Sequence, residues 1–278
     1  MTFIQSILLG VVQGLTEFIP VSSTAHLLIV EQLMGLNTPD LQASVFIFDV
    51  LVQLGTLLAL IIYFWSDLLV IIRAVLTGLG RRQPFTDPQA RLGWYILLAS
   101  IPALVAGVLL SNLVEKIFSI PALAAAIRLL TTAVLLVIAE RFGKRSRQIE
   151  SVVWKDALWI GLAQVLAVFP GASRSGSSIA GGMTRHLDRP SAARFAVLLG
   201  VPVMLAAGGY ESLKLFKSPQ MVTSILPQII IGFVVAAIVG YFSIRWLLNY
   251  LTRRPLYDFA IYCASLGLVT LVYYLVAR

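Results

Sequence analysis

Long apolar runs alternate with short polar segments along the whole chain. A helix needs about 20 consecutive apolar residues to cross the hydrocarbon core of a bilayer, which is about 30 Å thick. Runs of this length lie near residues 44–65, 92–111, 121–140, 195–212, 223–247 and 258–276. The pattern predicts a transmembrane helix at each of them. The segment 66–91 carries four arginines and two prolines, and it predicts a loop with some amphipathic helix.

Two further apolar stretches are interrupted by polar breaks. The first consists of residues 3–19 and 25–34, and the second of residues 157–169 and 173–184. Each half is too short to cross a bilayer alone and too apolar to lie in water. Such a pattern is typical of a re-entrant hairpin, in which two half-length helices meet at a break inside the membrane.

The composition supports a membrane protein. Hydrophobic residues make up 59% of the 278 residues, charged residues only 12%, and the mean hydropathy is +0.90. The net charge is +8, and the basic residues lie between the apolar runs. There they set topology and contact anionic lipids, so the charge does not indicate nucleic-acid binding. The lone Cys263 excludes an intramolecular disulfide, and no Lys or Arg precedes Arg73, so we expect no cleavable signal peptide.

The two halves of the chain resemble one another. Gly10 and Gln13 correspond to Gly161 and Gln164, and the two breaks correspond at nearly the same offset. We therefore predict a single integral membrane domain, residues 1–278, with one repeat at about 1–143 and a second at about 152–278. Each repeat holds one re-entrant hairpin and three transmembrane helices.

An odd number of spans per repeat inverts the second repeat relative to the first. The fold class predicted is therefore an all-α polytopic membrane protein with two inverted-topology repeats. Most of the 21 Lys and Arg residues fall in loops on one side of this arrangement, which the positive-inside rule makes cytoplasmic. Both termini are then outside, and the hairpins enter from opposite sides so that their breaks meet near the midplane.

The second break has the residues of an anion site. A helix that restarts after Pro170 and Gly171 presents unpaired N–H groups and the positive end of its dipole. An arginine at bilayer depth is costly and therefore marks a functional site, and its planar guanidinium suits phosphate. The candidate binding residues are Gly171, Ser173, Arg174, Ser175, Ser177 and Ser178.

The first break supplies complementary groups. Its candidates are Gln13, Glu17, Ser22, Ser23, Thr24 and His26. A carboxylate, an imidazole, hydroxyls and an arginine together are the groups needed for phosphoryl transfer. His26 alone is weak evidence, because it fits a buried structural histidine equally well. Asp49 and Gln53 lie four residues apart, and we expect that face of their helix to point at the site.

These motifs resemble a known family. The stretch from Gln13 to His26, followed later by Pro170-Gly171-Ala172-Ser173-Arg174-Ser175, is similar to the bacterial undecaprenyl-diphosphate phosphatases of the bacitracin-resistance type. Gln13 stands where other members carry Glu, and Ser178 where a threonine is common. The resemblance covers essentially the whole chain.

The resemblance implies hydrolysis of undecaprenyl diphosphate to undecaprenyl phosphate and inorganic phosphate in the bacterial inner membrane. This reaction recycles the lipid carrier for cell-wall synthesis and confers bacitracin resistance. It also implies a divalent cation, Mg²⁺ or Ca²⁺, with Glu17 as a ligand, and a homodimer. Arg174 and the backbone of Ser173–Ser175 would hold the diphosphate, and Glu17 would orient the metal or act as a base. Ser23 or His26 would attack or assist attack, and the sequence does not choose among Ser23, His26 and water as the nucleophile.

A transporter is the alternative function. Inverted repeats with broken helices also build secondary transporters, so a lipid flippase or an anion transporter shares the same pattern. A transporter needs the arginine but not an acid–base pair, and Glu17 and His26 therefore favour hydrolysis. The other membrane phosphatase pattern, Ser-Arg-x₅-His-x₃-Asp, is absent after Arg174, because His186 comes twelve residues later. We expect the cavity to open to the outer side and the prenyl chain to leave sideways into lipid.

Overall fold

Helices account for most of the described chain in the computed structural model, which covers residues 1–117, 120–168, 172–215 and 219–276. Over these residues the structure has no β-strand and one isolated bridge, between Arg147 and Leu187. The helices are α1 (Phe3–Thr16), α2 (Ser23–Leu33), α3 (Pro39–Tyr63), α4 (Trp65–Gly80), α5 (Pro88–Ile117), α6 (Pro121–Phe142), α7 (Trp154–Val165), α8 (Arg174–Thr184), α9 (Arg189–Leu215), α10 (Pro219–Ser224), α11 (Leu226–Leu251) and α12 (Tyr257–Val276). The prediction of an all-α protein is confirmed.

Six of the described helices are long and apolar enough to cross a membrane, namely α3, α5, α6, α9, α11 and α12. The shortest, α12, has 20 residues, which at about 1.5 Å per residue spans about 30 Å. Each also keeps large apolar side chains exposed, such as Phe46, Ile101, Val134, Leu205, Ile238 and Val269. Lipid is the solvent in which such surfaces are stable, and the chain is a multi-pass membrane protein.

Several helices extend beyond the predicted spans. Helix α3 begins at Pro39 instead of residue 44, and α9 begins at Arg189 instead of residue 195. Hydropathy detects only the part of a helix that lies in lipid, whereas the polar turns at its end continue the same hydrogen bonds in water. Residues 65–80 form helix α4, so helix occupies more of the predicted 66–91 loop than expected.

Two pairs of short helices flank the two sequence breaks. Helices α1, α2, α7 and α8 have 14, 11, 12 and 11 residues, and at 1.5 Å per residue each is shorter than the roughly 30 Å of a hydrocarbon core. Helix α1 packs against α2, and α7 packs against α8. Their insertion as re-entrant hairpins stays a prediction.

Glycines hold both hairpins close to longer helices. Helix α1 packs on α11, and a Cβ at Gly10 would lie 2.7 Å from the carbonyl oxygen of Gly232. Helix α7 packs on α5 in the same way, and a Cβ at Gly161 would lie 2.4 Å from the carbonyl oxygen of Ala99. Small residues allow this close backbone approach between helices. Each hairpin is therefore held by a helix from the other half of the chain.

Buried ion pairs join the segments at one end of the bundle. Two carboxylates with fully buried side chains bind two arginines each, Glu140 with Arg145 and Arg189, and Asp156 with Arg147 and Arg185. Glu140 also accepts a hydrogen bond from the N–H of Leu256. The sequence analysis assigned these arginines to loop charge alone and missed both carboxylates. The pairs fix α6, α7, α8 and α9 to one another beside the second hairpin.

Candidate active site

The first break leaves Glu17 at the end of α1. The N–H of Glu17 still donates to the carbonyl oxygen of Gln13, at 3.0 Å. Pro20 has no N–H with which to continue a helix, and Ser22 adopts a φ of +70° before α2 begins at Ser23. The hydroxyl of Ser22 caps α2 by accepting from the backbone N–H three residues on. The carboxylate and the start of α2 are therefore placed side by side.

The second break places Arg174 at the first position of α8, after Ser173 as the N-cap. The hydroxyl of Ser173 accepts from the N–H of Gly176 at 3.2 Å. The N–H of Ser173 donates to the hydroxyl of Thr132 on α6, at 2.8 Å. The start of α8 is therefore anchored to a transmembrane helix. Gly171, predicted to bind substrate, lies outside the described residues.

An ion pair joins the two breaks. Arg174 Nη2 donates to Glu17 Oε1 at 2.9 Å, and the side chains are 20% and 4% exposed. Ser175 Oγ donates to the carbonyl oxygen of Ile19 at 3.2 Å. Arginine and carboxylate are 157 residues apart in the chain, so only the packing of the two hairpins brings them together.

Glu17 is the centre of a hydrogen-bond network. Its Oε2 accepts from Gln13 Nε2 at 2.9 Å and from Ser23 Oγ at 2.7 Å, and its Oε1 accepts from Arg174. An ionised carboxylate offers about four acceptor positions, so one position on Oε1 is open within the described part of the chain. The proton of Ser23 points at a carboxylate, which is the geometry a hydroxyl needs before it acts as a nucleophile.

Both breaks open into one cavity of about 660 Å³. Its polar lining residues are Glu17, Ser22, Ser23, Thr24, Gln53, Arg128, Gln164, Ser173, Arg174, Tyr210 and Glu211. Apolar residues of α5 and α9, such as Leu104 and Val203, also line it. The volume falls within the range of small-molecule sites. A lining of both polar and apolar residues suits an amphipathic ligand.

Comparison with known proteins identifies the family. The sequence model of the family described as bacitracin resistance protein BacA matches residues 6–269. The chain belongs to this family. The match includes both breaks, five of the six helices long enough to cross a membrane, and α12 as far as residue 269.

BacA-family relatives resemble the chain over nearly its full length. A protein of Pelodictyon phaeoclathratiforme is 40% identical, over 100% of this chain and 98% of its own. Proteins of Anaeromyxobacter dehalogenans and Chlorobium limicola are 40% and 41% identical, each over 96% of this chain and over 90% and 95% of their own. All three are named undecaprenyl-diphosphatase.

His26 is held away from the cavity wall. Its Nδ1 lies 2.8 Å from the carbonyl oxygen of Ser22, and its Nε2 lies 2.7 Å from the hydroxyl of Tyr262. A carbonyl oxygen only accepts, so Nδ1 carries the proton and neutral His26 accepts from Tyr262 through Nε2. His26 is not among the described residues that line the cavity. A catalytic role for it stays a prediction.

Ser177 and Ser178 also lie behind the cavity wall. Both are buried, and Ser178 Oγ donates to Gln164 Oε1 at 3.0 Å. Among the described residues Ser177 Oγ has no hydrogen-bond partner. Their contact with substrate stays a prediction, as does that of Gln13, which reaches the site through Glu17.

The expectation for the face of α3 is correct for Gln53 and wrong for Asp49. Gln53 lines the cavity, whereas the carboxyl group of Asp49 lies within hydrogen-bond reach of Glu31 on α2. One helical turn separates the two positions by about 6 Å along the axis. Asp49 is not among the described residues that line the cavity.

The structure adds Arg128, Gln164 and Thr132, which the sequence analysis did not assign to the site. Arg128 and Gln164 line the cavity, and Thr132 holds the start of α8. Arg128 had a visible signal, because it is a charge within an apolar run. Gln164 also had a signal in the sequence, because it corresponds to Gln13 in the first repeat. Thr132 had none, since a threonine in a membrane helix commonly bonds its own backbone, as it also does here.

Proposed function

We propose that this chain is an undecaprenyl-diphosphatase, which hydrolyses undecaprenyl diphosphate to undecaprenyl phosphate and inorganic phosphate. Similarity to relatives of that name over the whole chain supports this function. The observation that carries it is the position of Glu17, with the Ser23 hydroxyl at 2.7 Å on one oxygen and the Arg174 guanidinium at 2.9 Å on the other. A transporter needs a group that binds the anion, but it does not need a base aimed at a hydroxyl.

Binding of the terminal phosphate is assigned to Arg174 and the start of α8. Arg174 lines the cavity, and its Nη1 is buried and has no hydrogen-bond partner among the described residues, so a small rotation of the guanidinium would offer this donor to a phosphate. The unpaired N–H groups at the start of a helix favour an anion at the same place. The terminal phosphorus then lies next to Ser23.

Ser23 is the proposed nucleophile. Its Oγ attacks the terminal phosphorus while its proton passes to Glu17, and the bond from that phosphorus to the bridging oxygen breaks. Undecaprenyl phosphate leaves with the bridging oxygen and takes the proton from Glu17. Water then attacks the phosphoserine, giving its proton to Glu17, which returns it to Ser23 Oγ as inorganic phosphate leaves. Arg174 stabilises the charge of the transferring group in both steps.

His26 contributes to this scheme by holding the nucleophile in position. Its hydrogen bond to the Ser22 carbonyl oxygen holds the first turn of α2, which carries Ser23. It is therefore proposed as a positioning residue between Tyr262 and the nucleophile.

The donor set fits a divalent cation that is shared with the substrate. Within the described residues no group of three His, Cys, Asp or Glu side chains could hold a metal ion. One acceptor position on Glu17 and the hydroxyls of Ser22 and Thr24 are available, and Mg²⁺ commonly combines one carboxylate with substrate phosphate and water. Bound in this way, Mg²⁺ or Ca²⁺ would neutralise charge on the diphosphate. Loss of activity in chelator, followed by recovery with each metal, would test the requirement and identify the ion.

The inverted-repeat topology is proposed to place the protein in the bacterial inner membrane with the cavity open to the outer side. The paired contacts of α1 with α11 and of α7 with α5 support two related halves. A cysteine at exposed, cavity-lining Ala207 should react with a membrane-impermeant thiol reagent added outside intact cells. Cys263 is fully buried, so the parent protein should not react. Labelling of Ala207→Cys only after the membrane is opened would contradict this orientation.

The cellular role and the homodimer are proposed on the family resemblance. Recycling of the lipid carrier for cell-wall synthesis predicts that expression of the chain raises bacitracin resistance. Light scattering of the purified protein in detergent would measure its oligomeric state. A monomer at every concentration would contradict the homodimer.

The test of function is phosphate release from a short-chain prenyl diphosphate by purified protein in detergent, where transport has no meaning. Ser23→Ala should lose turnover, while Ser66→Ala, exposed on α4, should keep it. A reaction quenched during turnover should yield a phosphorylated peptide containing Ser23. Wild-type rates in Ser23→Ala would refute the nucleophile, and absence of release by the parent protein would refute the function.

A further inference from the structure

Three residues that line the cavity each have a buried donor atom with no acceptor within the described part of the chain. They are Arg128 on α6, Gln164 on α7 and Arg174 on α8, through Nε, Nε2 and Nη1. A buried donor without an acceptor costs free energy. These atoms lie just behind the cavity surface, and a small rotation of each side chain towards an anionic ligand would give them an acceptor that the described residues do not supply.

Arg128 differs from Arg174 in its charge balance. Arg174 is paired with Glu17, and this pair carries no net charge. No ion pair joins the guanidinium of Arg128 to a described carboxylate, and its Nε has no hydrogen-bond partner there. The carboxylate of Glu211 lines the same cavity. A guanidinium without an ion pair at this depth is costly to a membrane protein. An anionic ligand would remove that cost.

The ligand of the proposed function brings the missing charge. A phosphate monoester carries about −1.5 to −2 at neutral pH, and a diphosphate carries at least as much. The Glu17–Arg174 pair alone leaves this charge unneutralised. Arg128 and Arg174 are the two cationic side chains among the described residues that line the cavity, and Glu17 and Glu211 are the two acidic ones.

Arg128 lies one helical turn from the second break. Thr132, four residues later on α6, accepts the N–H of Ser173. Four residues correspond to about 6 Å along the helix axis. Arg128 therefore lies one helical turn along α6 from the residue that anchors the start of α8, and it lines the same cavity as the apolar residues of α5 and α9 that suit a prenyl chain.

We propose that Arg128, together with the Gln164 amide, forms a second phosphate subsite that binds the prenyl-linked phosphate of the lipid diphosphate. Arg174 and the start of α8 bind the terminal phosphate, where the reaction occurs, and the second subsite holds the phosphate that remains on the product. Ser178 bonds to Gln164 Oε1 and so directs the Nε2 donors of this amide to the other end. The identity of the ligand as a lipid diphosphate rests on the proposed function. The affinity of the subsite for a phosphate ester does not depend on that function.

Substitution of Arg128 separates binding from folding. Replacing an uncompensated buried charge by a hydrophobic side chain of similar length is commonly neutral or stabilising. Arg128→Met should therefore fold and unfold at the parent temperature or above. Arg128→Lys keeps the charge and should retain part of the affinity. Arg73→Met, on the exposed face of α4 away from the cavity, is the matched control.

The measurements are steady-state kinetics with a short-chain prenyl diphosphate, and inhibition by the prenyl monophosphate and by inorganic phosphate. Loss of a charge-assisted bond predicts a rise of about ten- to a hundredfold in KM and in the inhibition constant of the prenyl monophosphate for Arg128→Met. The kcat should change far less, and inhibition by inorganic phosphate should be unchanged. Unchanged monophosphate inhibition, or weakening of inorganic phosphate inhibition alone, would overturn the assignment.

A second readout does not depend on turnover. The prenyl monophosphate should raise the unfolding temperature of the parent protein and of Arg73→Met, and raise it much less for Arg128→Met. This pattern in a protein that releases no phosphate would support the subsite and reject the phosphatase function. Equal stabilisation of all three proteins by the ligand would reject the subsite.

Discussion

Replacing Glu17 with glutamine tests the centre of the site with a side chain of the same shape. Glu17 has a 4% exposed side chain and accepts hydrogen bonds from Gln13, Ser23 and Arg174. In Glu17→Gln, an amide NH₂ replaces one of the two oxygens. If this NH₂ faces Arg174, donor meets donor; if it faces Gln13 and Ser23, the Gln13 amide and the Ser23 hydroxyl must both reverse to accept. Arg174 loses its counter-charge in either case.

The expected losses of stability and of rate in Glu17→Gln follow from these contacts. Breaking a buried ion pair by removing one partner costs about 3–5 kcal/mol. Because the Arg174 side chain is 20% exposed, partial solvation should bring the loss of stability to the lower end, about 3 kcal/mol. Loss of a positioned base typically lowers the rate by about 10²- to 10⁴-fold. We expect that decrease in kcat for Glu17→Gln.

The double variant Glu17→Gln/Arg174→Gln separates the two effects. It removes the uncompensated charge, so the unfolding temperature should recover relative to Glu17→Gln, while turnover should stay lost. Phosphate release and thermal unfolding in the same detergent measure both quantities, with exposed Glu150→Gln as the control. A kcat for Glu17→Gln within tenfold of the parent, or a double variant less stable than the single one, would refute this account of the site.

Three further predictions concern the surroundings of the site. Gly161→Ala places a Cβ 2.4 Å from a backbone oxygen of α5 and should lower the unfolding temperature, whereas Gly209→Ala, with no atom within 4 Å, should not; equal effects would contradict the close packing. Burial would raise the pKa of Asp156, but hydrogen bonds from two arginines bring it below its ordinary value of 3.8. Its stabilisation is therefore complete above that value and is lost as the pH falls through the lower folded pKa. The parent should exceed Asp156→Asn in unfolding temperature at pH 7, and a gap that persists unchanged below pH 3 would contradict this sign. Tyr262→Phe removes the hydroxyl that bonds His26 and should lower kcat by less than tenfold if His26 only positions α2; a loss as large as that of Glu17→Gln would show a catalytic role.

Local sequence features predict much of this protein. Apolar runs locate six helices because a bilayer of fixed thickness demands a minimum length of apolar helix. Pro20 marks a break because proline lacks the N–H that a helix requires. A charged Arg174 and Glu17 next to such breaks indicate a functional site, since intramembrane charge is costly. These inferences need no knowledge of which helices touch.

Pairwise contacts between distant residues were not predictable in the same way. Asp49 and Gln53 share one helical face, but Asp49 lies next to Glu31 and only Gln53 reaches the cavity. His26 has the chemistry of a catalytic base, yet its two ring nitrogens lie against Ser22 and Tyr262. Helical periodicity determines the direction in which a side chain points from the helix axis. Whether that side chain reaches the cavity depends on the neighbouring helices.

The sequence by itself determined the membrane fold class, the two interrupted hairpins and the residue types of a phosphate site, because these depend on bilayer thickness, backbone hydrogen bonding and the cost of buried charge. Tertiary structure decided which of these residues act together. Arg174 and Glu17 are 157 residues apart in the chain, and their side chains lie 2.9 Å from one another. This contact depends on the packing in which glycines let each hairpin approach a helix of the other half. The same packing brings Arg128 into the cavity without an ion pair to a described residue. Side-chain partners depend on distances of a few tenths of an ångström, which are set by interhelical packing and not by the local order of residues.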